Sequence, residues 1–243
     1  MDDEQNKGAD TIIDNINKDK NEPANNNNPL NYLIHNFKYP FTKIKWHYTL
    51  TNEIRKIIKS LKAKNSCGYD EIPTKILKLS VPFIISPLTH ICNKCLSQGV
   101  FPDRVKFSVV KPIFKNGDKL ITSNYRPILL LVSFSKVFEK LICNRLYEHI
   151  SINGILDTEQ YGFRTNTSPE NASYELTHAI LSAMNNKCVV GGIFCNLEKA
   201  FDCVDHNILL EKLQFYGIVG KFQALIKSYF SGRYQKVFID NIN

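Results

Sequence analysis

From residue 51 onward the apolar positions of this chain fall into periods that predict its elements. Ile54, Ile57, Ile58 and Leu61 recur at i, i+3, i+4 and i+7, one face of a helix, with Arg55, Lys56, Lys59, Lys62 and Lys64 over the rest. Lys64 to Asp70 reads as a turn-rich loop, after which Pro73 suits the first turn of a short helix. A separate helix is predicted over 83–98, stopped by Gly99. Phe107–Phe114 is rich in β-formers and reads as a strand, with Lys115-Asn-Gly-Asp118 as its turn. Val137, Phe138, Leu141, Ile142 and Leu146 mark a helix over 133–150, and Ser168-Pro169-Glu170 opens another that runs to about Asn185. The apolar run Cys188–Cys195 predicts a buried strand. Asp205 caps a helix ending at Gly217, a last helix spans 219–230, and Tyr234–Asp240 reads as a strand. Before this, residues 30–48 carry Tyr32, Phe37, Tyr39, Phe41, Trp46 and Tyr48 without a period and predict a loosely packed lead-in.

Composition changes the picture at the N-terminus and in the charge. Residues 1–28 hold eight asparagines, including Asn25–Asn28, so 1–48 reads as a disordered Asn-rich leader plus lead-in. The formal charge of the whole chain is +8, but residues 1–30 contribute −4 and the remainder +12. A polyanion such as nucleic acid is the partner this balance suggests. No apolar run reaches about 18 residues, so no membrane span is expected. The start lacks the basic and apolar regions of a signal peptide. Seven cysteines without such a signal fit reduced thiols and an intracellular location, nuclear or cytoplasmic being left open. Cys92-Asn-Lys-Cys95 is a lone C-x-x-C in a helical segment and reads as packed thiols, even with His90 nearby. His35, His47, His149 and His178 have no evident partners in sequence.

Phosphate-loop, dinucleotide, zincin and hydrolase-elbow motifs are absent. The informative segment is Val189-Val-Gly-Gly-Ile-Phe-Cys-Asn-Leu-Glu-Lys-Ala-Phe-Asp-Cys-Val-Asp-His206, where an apolar run delivers a polar residue and then an aromatic, two aspartates and a histidine. It resembles the first palm motif of reverse transcriptases from non-LTR (LINE-type) retrotransposons, D-[LIV]-x-K-A-F-D-x-V-x-H. Four further blocks resemble the same family in its order: Lys64–Pro73, Phe101–Asp118, Asn124–Ile128 with Phe134–Lys140, and Glu159–Arg164.

The resemblance implies an α/β fold, a right-hand polymerase with fingers at about 49–186 and an incomplete palm at 187–243. The sheet of such a palm would expose an edge, so marginal stability is expected of the C-terminal third. The activity implied is RNA-directed DNA polymerisation, with RNA template, DNA primer and deoxynucleotide triphosphate as partners and two Mg²⁺ ions stabilising the attacking and leaving oxygens. Aspartates suit Mg²⁺ because it takes hard oxygen ligands. In this chain Asn196 stands at the metal-binding aspartate position, followed by Leu197, whose main-chain carbonyl matches a family metal ligand. A neutral amide does not readily bridge two dications, and the 243 residues contain no F/Y-A-D-D motif. Neither Glu198 nor Asp202 is expected to substitute, so Mg²⁺ binding is expected to be lost and the chain inactive. A non-catalytic nucleic-acid-binding remnant is the alternative. By the same resemblance Lys115 and Arg126 meet the triphosphate, with Lys111 competing with Lys115. Phe201 packs under the sugar, and Gln160, Gly162 and Arg164 lie near the template. A local loop brace remains the other reading of those three. His206 is expected to help cap its helix.

Overall fold

The computed structural model describes residues 31–37, 41–197 and 200–237. The predicted leader at 1–28 lies outside them. Residues Met1–Tyr39 and Pro40–Asn243 form separate units, and the first holds the short helix α1 (Asn31–Asn36).

The second unit is built on α2 (Thr51–Ser60), α3 (Thr74–Gln98), α4 (Ser133–Ile152) and α7 (Lys221–Phe230), with α5 (Pro169–Asn185) and α6 (His206–Phe215) between. The predicted face of α2 is the buried one: Ile54, Ile57 and Ile58 enter the core with Leu77, Val81, Leu88, Phe101, Val137, Leu141, Phe222 and Leu225. The unit is mixed α/β, as expected, and among the described residues its sheet has three strands, in the order β2 (Tyr125–Leu131), β1 (Phe107–Phe114), β3 (Tyr234–Val237). The β1–β2 pair is antiparallel and the β1–β3 pair parallel.

Four expectations are corrected. The two helices expected around residues 73–98 are one, with Pro82 and Pro87 inside it. Each proline deletes a helical hydrogen bond. Both sit on the exposed side, however, while the buried stripe Leu77, Val81, Ile85, Leu88, Cys92, Leu96 continues past them. At 25 residues α3 is long and apolar enough to cross a membrane, contrary to the expectation that no segment would be, but this stripe makes it a core helix.

The segment from Phe41 to Tyr48 has no regular secondary structure but is anchored rather than loose. Ile44 is buried and donates its N–H to the carbonyl of Gly217 at 2.9 Å. Gly217 has φ +81°, and a Cβ there would lie 2.2 Å from the carbonyl oxygen of Thr42, so only glycine admits this approach.

The run Cys188–Cys195 is not a buried strand. It has no regular structure, and Val189 and Phe194 are 99% and 86% exposed. A strand apolar on both faces needs neighbours in a ladder, and none of the described strands pairs with this run.

The strand β2 has no counterpart among the elements expected from the sequence, where Asn124–Ile128 enters only as a block of the family resemblance. Pro127 faces Pro112. Lys115 donates its N–H to Asn124, so by antiparallel alternation 112 and 127 form a non-hydrogen-bonded pair and no β1–β2 bond is lost.

One buried ion pair joins the helices. Arg145 of α4, 5% exposed, meets Glu53 of α2 in a bidentate contact at 2.7 and 2.8 Å. The Thr49 hydroxyl donates to the same carboxylate at 2.7 Å, and Asn93 of α3 holds both the N–H and the carbonyl of Thr49. The Arg145 hydrogen bond keeps the Glu53 carboxyl below its ordinary range, against the opposing effect of partial burial. A depressed carboxylate stabilises the fold fully above its unfolded pKa and loses that contribution as pH falls through the folded one. Glu53→Gln is therefore expected to cost about 1–3 kcal/mol at neutral pH, the loss of charge-assisted hydrogen bonds from a pair in which only the arginine is fully buried. Melting curves from pH 7 to pH 3 should show the gap between wild type and variant closing below about pH 4.5. A gap independent of pH would mean that the carboxylate charge contributes nothing.

Candidate nucleotide and nucleic-acid interface

The β1–β2 hairpin carries the phosphate-binding candidates. Side chains alternate along a strand, and directly opposed residues share a face. Arg126 opposes Ile113, Ile128 opposes Lys111, and Lys115 follows in phase, so Lys111, Lys115 and Arg126 all lie on one face. The competition between Lys111 and Lys115 thus becomes a matter of position along one surface. Ser108 and Val110 are buried on the opposite face.

Bonds within the loop fix its shape. Lys115 donates its N–H to the carbonyl of Asn124 at 2.9 Å, Asn124 donates its side-chain amide to the carbonyl of Asp118 at 2.8 Å, and the Tyr125 hydroxyl donates to the carbonyl of Lys119 at 3.0 Å. Gly117 has φ +88°, and a Cβ there would meet the Asn124 amide at 2.7 Å. The Asn-Tyr pair preceding Arg126 therefore works as a brace that sets where Lys115 and Arg126 stand.

The second group is the loop before α5. Gln160 donates to the carbonyl of Gly162 at 3.3 Å, and Arg164 to the carbonyl of Asp157 at 2.6 Å. These contacts match the loop-brace alternative. Asp157 and Glu159 share a hydrogen bond that pushes the Asp157 carboxyl up and holds Glu159 down. Ser168 caps α5 as expected, accepting from the Asn171 N–H.

The third group is the segment around Asn196. Asn196 and Leu197 lie exposed in irregular chain, while Glu198 and Lys199 fall outside the described residues. Asp205 caps α6 by accepting from the N–H groups of Asn207 and Ile208. His206 does not serve as a cap: its ring stacks on Phe230, with centroids 4.4 Å apart. The exposed Phe201 meets Phe163 edge to face, with ring centroids 5.8 Å apart. That contact joins the 159–164 block to the palm-like motif. Nothing in the residue pattern points to it, because the two aromatics are far apart in the chain and Phe163 has a left-handed backbone (φ +58°). No hydrogen bond, ion pair or ring contact among the described residues links Lys115 or Arg126 to Asn196 or Phe201.

The donor set does not fit a pair of divalent cations. Asn196 brings a neutral amide and Leu197 a main-chain carbonyl, and among the described residues no three of His, Cys, Asp and Glu converge on one point. Cys92 and Cys95 are packed thiols, as expected: burial pushes them up to about 12 and about 11. His149, for which no partner was evident, is buried, with Nε2 2.7 Å from the carbonyl of Tyr216.

A family profile described as "Reverse transcriptase (RNA-dependent DNA polymerase)" matches residues 113–242, more than half of the chain. The chain belongs to the reverse transcriptase family. Its relatives carry the non-LTR character that the motifs implied. It is 34% identical over 190 residues to "Probable RNA-directed DNA polymerase from transposon BS" of Drosophila melanogaster, which covers 78% of this chain and 21% of the relative. It is 30% identical to "RNA-directed DNA polymerase from mobile element jockey" of Drosophila funebris, over 77% of this chain and 20% of the relative. A third match is "Transposon TX1 uncharacterized 149 kDa protein" of Xenopus laevis, 22% identical over 74% of this chain and 14% of the relative. The chain spans about a fifth of the length of the first two relatives. The matched reverse transcriptase region takes in Lys115, Arg126, Gln160, Gly162, Arg164, Asn196 and Phe201 and begins after Lys111.

Asn124→Ala removes the amide brace of the reverse transcriptase hairpin while keeping its backbone. It is expected to cost about 1 kcal/mol, one net hydrogen bond. Faster hydrogen exchange at the Lys115 amide should accompany the loss; unchanged exchange would show that the turn holds without the side chain.

Proposed function

We propose that this reverse transcriptase domain binds nucleic acid and nucleotide but, as the 243-residue chain, does not transfer nucleotides. The observation that carries this is Asn196, a neutral side chain at the position where the family places a metal-binding aspartate. In this reading residues 49–186 act as fingers and 187–243 as part of a palm. The reaction of the lineage joins a primer 3′-hydroxyl to the α-phosphate of a deoxynucleotide, for which the divalent ions supply charge stabilisation. The residues in hand fit the binding half of that task better than the chemical half.

Lys115 and Arg126, fixed on one hairpin face, would meet the triphosphate. A planar guanidinium suits paired contacts to phosphate oxygens, and an ammonium adds a point charge. Phe201, held by Phe163, would pack under the sugar and reject a 2′-hydroxyl. The +12 charge of residues 31–243 supports an RNA or template–primer partner, bound with strong salt dependence.

Primer extension on an RNA template, with Mg²⁺ or Mn²⁺, tests this directly. The chain is expected to give no product, and Asn196→Asp alone is expected to remain inactive, because the aspartates of the F/Y-A-D-D motif are missing from these residues. Extension by either protein would overturn the reading. Arg126→Ala should weaken deoxynucleotide triphosphate binding by about 10-fold or more, the loss of a charge-assisted contact. An unchanged dissociation constant would remove Arg126 from the nucleotide site.

A further inference from the structure

A basic groove lies apart from the hairpin, between the extended segment 42–47 and the C-terminal half of α4. Its volume is about 360 Å³, and Lys43, Lys45, His47, Arg145, Glu148 and His149 are among its lining residues. The alternation of an extended chain explains the row of cations. Ile44 and Trp46 turn toward the core, so Lys43, Lys45 and His47 stand on the opposite side, all exposed. Residues two apart on such a segment are spaced by about 6–7 Å.

The groove is anchored at both ends of the segment. The Thr42 hydroxyl bonds Asn153 at 2.8 Å, and Thr49 is tied to Asn93 and Glu53. Its wall includes Arg145, 95% buried, both of whose terminal nitrogens are taken by Glu53. The Nε–H of Arg145 is buried and has no acceptor among the described residues. A buried donor without a partner is costly and points to an acceptor that the isolated chain does not supply. His149 is held by the protein itself, with Nε2 2.7 Å from the carbonyl of Tyr216 and Nδ1 3.4 Å from the Asn153 amide. No ion pair among the described residues occupies Lys43 or Lys45.

We propose that this groove is a second nucleic-acid site, taking the phosphodiester backbone of a single strand along Lys43, Lys45 and His47. A positively charged track that follows a strand needs cations spaced along a line, which the alternating segment supplies. Four charged side chains and the Asn153 amide are among the groups that line it. Glu148 is the acidic group at the rim, and it opposes the ligand. The inference rests on reading the chain as a nucleic-acid binder, but not on the nucleotide-handling role of the hairpin.

The test is fluorescence anisotropy of the full chain with a labelled single-stranded RNA across a salt series. Lys43→Glu with Lys45→Glu changes two exposed residues and should leave circular dichroism and melting unchanged. Affinity is expected to fall at least 10-fold, and the slope of log affinity against log salt to lessen by about 1.4, two phosphate contacts at about 0.7 each. Glu148→Gln should raise affinity about two-fold. Lys115→Ala with Arg126→Ala is measured in parallel. If the hairpin variant weakens RNA binding and the Lys43/Lys45 variant does not, the groove proposal is wrong and the RNA contact lies at the hairpin. If wild type binds no RNA, the groove proposal and the reading of the chain as a nucleic-acid binder both fall. Displacement of the RNA by an equal concentration of inorganic phosphate would mean a free-anion site. Equal competition by a poly-glutamate peptide would mean an acidic-protein site. Either result would overturn the strand assignment.

Discussion

The Glu53–Arg145 pair is the constraint on which the arrangement of the helices depends. It takes an arginine out of water in the middle of α4 and places one carboxylate against it from α2. Taking charges out of water is expensive and is repaid only when geometry and surrounding hydrogen bonds are both good. Here Thr49 completes the carboxylate and Asn93 completes Thr49, so four elements are held to one another by a single polar chain. Apolar packing around Ile54, Phe101 and Leu141 supplies the bulk of the driving force. Packing alone is tolerant of sliding; a bidentate contact is not.

That anchor has two sides. Toward the interior it fixes α2, α3 and α4, against which Phe101 and α7 pack. Toward the surface it fixes the segment 41–48, and with it the cations of the groove. The hairpin that carries Lys115 and Arg126 is organised separately, by its own turn bonds and by the central position of β1. The two basic regions of the chain are thus held by independent means, which is why each can be altered without dissolving the other.

How much was legible in the sequence follows from what kind of interaction decides each element. The face of α2, the cap of α5 by Ser168 and the cap of α6 by Asp205 are local, and the pattern of residues states them. The continuity of α3 was hidden because Pro82 and Pro87 are local breakers, whereas the stripe that overrides them is tertiary. The strand β2 was hidden because Pro127 argues against a ladder unless its partner, another proline in a non-bonded pair, is known. The apolar run at 188–195 reads as a strand from its residues, yet a strand exists only with a neighbour, and none of the described strands pairs with it. At the candidate site, the block motifs located Lys115, Arg126, Asn196 and Phe201. The shared face of Lys111, Lys115 and Arg126 and the contact of Phe163 with Phe201 required coordinates, because each depends on register or on the meeting of distant segments.

The sheet order also carries a consequence for how the chain comes to be folded. The strand β1 is paired on one side by a neighbour a few residues away, and on the other by β3, whose Gln235 lies opposite Ser108. During synthesis the hairpin is complete long before the third strand leaves the ribosome. Through that interval the free side of β1 presents unpaired amides and carbonyls to other nascent chains. Pairings of such sequence separation also form slowly once available. The β1 edge thus stays open over the time needed to make more than a hundred residues, an exposure written into the topology itself.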